Sequence, residues 1–175
     1  MPIRPAKILP FYLIAALFFW AGPGFCAQRS LTELQKQARG YRAKGYGLQK
    51  QDNLEAALPY YQKALLLDPS YVVAYNDLGI IFEAQGRKEE AKEMYLKAIK
   101  TDPSYPNSYS NLALFYEESG DYNNAILYWL KRKNLRYRKD VWLKTAKKRL
   151  EDLARLYPEI YSNVTEEKVE TAPIK

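Results

Sequence analysis

The sequence contains no histidine and a single cysteine, Cys26. Without histidine there is no Ser-His-Asp triad, no Cys-His pair and no imidazole metal site. One cysteine excludes an internal disulfide. An enzyme site could be assembled only from carboxylates, lysines, tyrosines and hydroxyls. Wholesale disorder is excluded in turn, because 47% of the residues are hydrophobic and 14% aromatic, 16 of them tyrosine.

Acidic residues are also missing from the first 32 positions, Glu33 being the first. There Arg4 and Lys7 precede an apolar run from Ile8 to Ala21, followed by small residues. A basic start, a short hydrophobic stretch and a small-residue end read as a secretory signal peptide over residues 1–27. The expected location is therefore outside the cytoplasm, periplasmic or secreted in a bacterium. The alternative is an uncleaved membrane anchor through residues 8–21. A lipidated Cys26 fits less well, because Phe25 precedes it where a small residue is wanted.

The rest of the chain repeats itself. Asp68-Pro69-Ser70-Tyr71 returns as Asp102-Pro103-Ser104-Tyr105, 34 residues on. Tyr41, Tyr75 and Tyr109 keep that step, as do Gly45 and Gly79, Ala57, Ala91 and Ala125, and Tyr61, Tyr95 and Trp129. A 34-residue period with large, small, aromatic and proline positions in fixed order predicts stacked helical hairpins. Ser30 with Glu33, and Asp52 with Glu55, form Ser/Asp-x-x-Glu capping boxes, placing helix starts at Leu31 and Asn53. Gly45 is expected where a second helix approaches closely. Pro59 is expected to strain the helix containing it. In the third repeat Arg132 and Tyr137 replace the alanine and proline of the others, so its second helix is expected to run longer. Asp140 is expected to cap a final helix from Val141 to Leu156, with Trp142, Thr145, Ala146, Arg149, Leu150, Leu153 and Leu156 at three-and-four spacing on its inner stripe. Beyond Pro158 a mobile tail is expected.

The order Tyr75, Leu78, Gly79, Phe82, Ala91, Tyr95, Ala98, Pro103 resembles the tetratricopeptide repeat family. The resemblance implies an all-α, right-handed superhelical solenoid with repeats at 38–71, 72–105 and 106–139, a capping helix at 140–157 and a disordered tail at 158–175. It also implies a non-enzymatic adaptor that holds a partner protein or peptide segment on its hollow face, with no cofactor. The family's hollow-face positions fall here on Arg39, Arg42, Tyr46 and Gln49; on Val73, Asn76, Ile80 and Glu83; and on Asn107, Ser110, Leu114 and Glu117. The final helix adds Val141, Lys144 and Lys148. Glu83 and Glu117 are the one carboxylate pair worth inspecting for catalysis. Some family members clamp a chaperone's C-terminal carboxylate with lysine, asparagine and arginine. Asp77 stands where that clamp has asparagine, and the third repeat offers Asn107 and Asn111 in place of its basic pair, so this mode is not expected.

Ten basic residues lie between Lys131 and Arg149 against one acid, Asp140. They are Lys131, Arg132, Lys133, Arg136, Arg138, Lys139, Lys144, Lys147, Lys148 and Arg149. Three readings of this patch stand: a solvated capping face, a contact for an anionic membrane surface or an acidic partner, and a nucleic-acid site, which is not expected of an exported protein.

Overall fold

The two Asp-Pro-Ser-Tyr copies form the same turn. Asp68 Oδ1 accepts hydrogen bonds from the Ser70 amide at 3.0 Å and hydroxyl at 2.6 Å. Asp102 Oδ1 does the same for Ser104 at 2.9 and 2.6 Å. An aspartate folded back onto the backbone two residues ahead stabilises a turn, and the following proline stops the helix before it. Each copy thus ends one helical hairpin and begins the next.

The computed structural model describes the backbone of residues 23–135 and 142–170, and the side chains of 32–135 and 142–166. Among these residues there are eight helices and no strand: α1 (Pro23–Gln49), α2 (Leu54–Leu67), α3 (Val72–Ala84), α4 (Lys88–Thr101), α5 (Pro106–Glu118), α6 (Tyr122–Asn134), α7 (Trp142–Leu156) and α8 (Pro158–Glu170). α1 packs on α2, α3 on α4 and α5 on α6; α2 then touches α3, and α4 touches α5. Hairpins stacked through nearest neighbours make the all-α solenoid that the period implied.

The turn inside each hairpin also repeats. Asp52, Gly86 and Gly120 are 34 residues apart and have φ of +60°, +74° and +75°. Aspartate is among the few non-glycine residues that tolerate this left-handed geometry. Asp52 is therefore the turn residue, and the helix cap is its neighbour: Asn53 Oδ1 accepts the Ala56 amide at 3.2 Å. Asp121 caps α6 in the same way through the Asn124 amide, at 3.1 Å. This corrects the capping box placed on Asp52. The box on Ser30 is corrected too, since α1 starts at Pro23 and Ser30 lies inside it.

The core is built from small residues facing aromatic ones. Ala57, Tyr61 and Ala64 of α2 and Ala91, Tyr95 and Ala98 of α4 are fully buried. Each large ring reaches back to its own hairpin partner. The Tyr61 hydroxyl donates to Gln49 Oε1 at 2.5 Å, Tyr95 to Glu83 Oε2 at 2.6 Å, and Trp129 Nε1 to Glu117 Oε1 at 2.5 Å. These pairs are all 12 residues apart, so one buried polar bond recurs in each hairpin and ties its helices in register. Gly45 stands where expected: a Cβ there would lie 3.2 Å from Tyr60 and Tyr61. α2 continues through Pro59 without a break from Leu54 to Leu67.

Two expectations about the C-terminal part fail. α6 has 13 residues against 14 in α2 and α4, so it does not run longer. The arginine that replaces alanine is accommodated inside the core instead of extending the helix. Residues 158–170, read above as a mobile tail, form α8. Tyr157, Ile160, Tyr161 and Val164 are spaced three and four apart and pack against α6 and α7. The Tyr157 ring stacks on Tyr122 with centroids 3.9 Å apart. α7 covers the open side of α6 with Ala146, Leu150 and Leu153 and turns Lys144, Lys147 and Lys148 outward. Leu156, expected on the same inner stripe, is instead 63% exposed at the last position of α7.

Candidate functional site

The first helix of each hairpin, together with α7, lines a cleft of about 320 Å³. α1 supplies Arg42; α3 supplies Asn76, Asp77 and Ile80; α5 supplies Asn107, Ser110, Asn111 and Leu114. Tyr105 and Trp129 complete the wall, and Trp142, Thr145 and Arg149 close it from α7. Of the hollow-face residues expected from sequence, Arg42, Asn76, Ile80, Asn107, Ser110 and Leu114 meet here. Lys144 and Lys148 line an adjoining hollow of about 430 Å³, which shares Thr145 and Arg149 with the cleft.

The remaining expected residues sit elsewhere. Gln49, Glu83 and Glu117 are the acceptors of the three buried ring bonds, so the carboxylate pair kept for catalysis is engaged in packing. Arg39 and Tyr46 are exposed on α1 beyond the cleft, and Val73 is half-buried on α3. Val141 lies outside the described residues. Sequence reasoning weighed Asp77 and Asn111 only as positions of the chaperone clamp, and missed Tyr105 and Trp129 as wall residues. It had Trp142, Thr145 and Arg149 on one stripe of the last helix, but as core-facing positions.

Polar bonds across hairpins fix the cleft's floor. Arg42 Nε donates to Asp77 Oδ2 at 2.6 Å, bridging the first and second hairpins. Asn111 Nδ2 donates to Asn76 Oδ1 at 2.9 Å, bridging the second and third. The Arg42 guanidinium also lies over the Tyr46 ring, 4.8 Å from its centroid. At the far wall, Arg149 Nη1 donates to Glu117 Oε2 at 3.3 Å.

The basic patch is not one surface. Arg132 is fully buried, with its Nε donating to Ser110 Oγ at 3.1 Å beneath the cleft. It is corrected from a surface residue to a core residue, because the small-residue position it occupies in the repeat faces inward. Lys131, Lys133, Lys144, Lys147, Lys148 and Arg149 are exposed, and Lys131 sits 4.8 Å from the Tyr128 ring centroid. Arg136, Arg138 and Lys139 lie outside the described residues. Among the described residues no helix is long and apolar enough to cross a membrane; residues 8–21 are not among them.

Burial pushes the Asp77 carboxyl above the usual carboxylate range, against the opposing hydrogen bond and charge of Arg42. Burial raises Glu83 as well, opposed by the Tyr95 hydroxyl and reinforced by Glu118. A raised pKa means that the folded state holds its proton more tightly than the unfolded chain. The stability these two groups confer is thus complete below about pH 4 and is lost as pH climbs through their raised values. Asp77→Asn is expected to flatten that decline in urea midpoints measured from pH 4 upward. Parallel slopes for variant and parent would refute the assignment.

Two tetratricopeptide repeat models match the chain, one over residues 36–104 and the other over 94–126. The chain belongs to the tetratricopeptide repeat family. Among solved structures, MamA is 30% identical with a TM-score of 0.52, the match covering 54% of this chain and 56% of that protein. This chain thus spans little more than half of MamA's length. The second tetratricopeptide domain of Spaghetti (RPAP3), bound to the HSP90 peptide SRMEEVD, is 20% identical with a TM-score of 0.55, covering 58% of this chain and 94% of that one. The Arabidopsis OM64 tetratricopeptide domain is 19% identical with a TM-score of 0.59, covering 68% and 98%. At such identities the last two show the fold alone. A comparison with curated proteins found no match. A tetratricopeptide array is a protein-interaction module, and curved stacks of this kind bind along their concave side.

Proposed function

We propose that this protein is an exported, non-enzymatic adaptor that holds an extended segment of a partner polypeptide in the cleft between α1, α3, α5 and α7. One observation carries the reading. The cleft joins four helices and alternates amide and hydroxyl groups (Asn76, Asn107, Ser110, Asn111) with apolar side chains (Ile80, Leu114, Trp142). Such a lining suits a main chain held by hydrogen bonds with side chains in shallow apolar pockets. The Spaghetti domain shares the fold and is bound to a peptide. Export is supported by the composition of residues 1–27.

Co-purification from an extracytoplasmic extract tests the docking. Ile80→Asp combined with Leu114→Asp is expected to abolish recovery of the partner while the helical signal is kept and unfolding stays cooperative, at a melting temperature below the parent's because both side chains pack on the core. Both positions are half-buried at the cleft, so loss of fold is controlled by the melting curve. Undiminished recovery would place the partner on another face.

The exposed lysines of α7 favour a second reading, a membrane-tethered assembly component that meets anionic lipid or an acidic partner. The mass of the mature protein separates the two. Loss of about 27 residues supports a cleaved leader and rules out an N-terminal anchor.

A further inference from the structure

We infer that the cleft selects an internal acidic segment, seating one carboxylate side chain against Arg42 on the α1 wall and a second against Arg149 on the α7 wall. The inference rests on the docking reading above and specifies its ligand.

Each guanidinium is held from behind and left open in front. Arg42 is anchored through Nε alone, by Asp77 at 2.6 Å, and by the Tyr46 ring at 4.8 Å. Among the described residues, its two terminal nitrogens have no hydrogen-bond partner. Arg149 is held through one terminal nitrogen, to Glu117 at 3.3 Å, and Glu117 is itself fixed by Trp129 Nε1. A guanidinium has five N–H donors in a rigid fork, so either arginine keeps enough of them to grip a carboxylate with two parallel bonds. Fixing the fork in advance removes much of the rotamer entropy that a surface arginine would lose on binding.

The charge that a ligand meets is positive. The Asp77 and Glu117 side chains are only 8% and 16% exposed, against 27% for Arg42 and 47% for Arg149. The two carboxylates thus orient the arginines from below without neutralising the face offered to solvent. Lys144 and Lys148 in the adjoining hollow add to the field that would steer an acidic chain inward. Between the two walls Ile80 and Leu114 offer an apolar seat, so an aliphatic residue between the acids completes the match. A free chain terminus is not part of this arrangement. Asp77 and Asn111 occupy the floor, and neither supplies the positive charge a terminal carboxylate needs.

The test uses two pools of short fluorescent peptides, N-acetylated and C-amidated, in which a pair of glutamates flanks a leucine at varied spacing. The second pool carries glutamine at both acidic positions. Fluorescence anisotropy with the full chain is expected to show binding at least about tenfold tighter for the glutamate pool, with the gap closing as salt rises. Arg149→Gln is expected to reduce that preference about tenfold at an unchanged melting temperature, and Arg42→Lys to weaken it in part, since a lysine cannot form the fork. Removing the C-terminal amide is expected to change nothing. Equal binding of the two pools, no binding of either, or a preference that survives Arg149→Gln would overturn the inference. So would a requirement for a free C-terminus. Equal binding that is still lost on Ile80→Asp would leave the docking reading standing and sink only the acidic ligand.

Discussion

Replacing Gly79 with valine is expected to cost about 3 kcal/mol, a drop of roughly 6–12 °C in melting temperature for a chain of this size. A Cβ built on Gly79 would lie 2.4 Å from Tyr95 Cε1, 2.6 Å from Cδ1 and 2.9 Å from Cζ. Contacts so short require the ring or the helix to move. The ring cannot move easily, because Tyr95 is fully buried and its hydroxyl is committed to Glu83. Displacing it would also leave a buried hydroxyl short of a partner, a further penalty of about 1–3 kcal/mol. The third hairpin has Ala113 at the equivalent position, packed in the same cluster as Trp129, so the requirement for glycine follows the particular ring opposite and not the repeat as such. Gly40→Ala is the matched control. It lies in α1 with nothing within 4 Å of a built Cβ, and alanine there is expected to stabilise the helix by about 1 kcal/mol. Thermal melts of the two variants should move in opposite directions.

Arg132→Ala restores the residue that the first two hairpins carry, as Ala64 and Ala98, and by the repeat pattern alone it should be harmless. The structure predicts a loss of about 3 kcal/mol. Arg132 is one of the largest fully buried side chains, at 0% exposure. Removing it opens a void under the third hairpin and deprives Ser110 of the Nε donor at 3.1 Å. Arg132→Met keeps most of the volume and none of the donors, so its loss should be smaller than that of alanine. Because Ser110 lines the cleft, both variants should also weaken partner binding. An alanine variant as stable as the parent would refute the account; a methionine variant as stable as the parent would show that the guanidinium contributes nothing beyond filling space.

The repeat was legible because its positions answer to packing. Where a small residue must face a ring, the 34-residue step preserves both, and the hairpin register could be read from Ala57/Tyr61 and Ala91/Tyr95 alone. The Asp-Pro-Ser-Tyr copies were legible as a repeat and, through their proline, as a helix stop; the bonds from Ser70 and Ser104 back to the aspartates came only with the structure. The misreadings share a cause. Asp52 reads as a cap from its Asp-x-x-Glu pattern alone, although the 34-residue step aligns it with Gly86 and Gly120 and aligns Asp121 with Asn53. Arg132 looked like one member of a charged run, because the run's composition outweighed its place in the repeat. α8 was missed although Tyr157, Ile160, Tyr161 and Val164 carry helical spacing, since polar neighbours mask a stripe so short.

The cleft was half legible. Arg42, Asn76, Ile80, Asn107, Ser110 and Leu114 could be placed by their position in the first helix of each hairpin. Glu83 and Glu117 occupy the same kind of position, yet the structure turns them onto Tyr95 and Trp129. That choice depends on a ring 12 residues away being a hydrogen-bond donor, a pairing that is visible once it is sought: Gln49 with Tyr61 follows the same rule. Read from sequence, Arg42 falls on the hollow face and Asp77 at a clamp position, and the two are not paired with each other. They meet each other because stacking brings residues 35 apart within 2.6 Å.

Site-specific photo-crosslinking in the native host tests the central claim most directly. A photoreactive residue would replace Ile80 in the cleft in one strain and Leu66, which is 73% exposed on α2 and lines no part of the cleft, in another. A polypeptide adduct that forms from position 80 and not from position 66 is the predicted result. An adduct from position 66 alone, or equal adducts from both, would contradict the assignment of the cleft as the docking face.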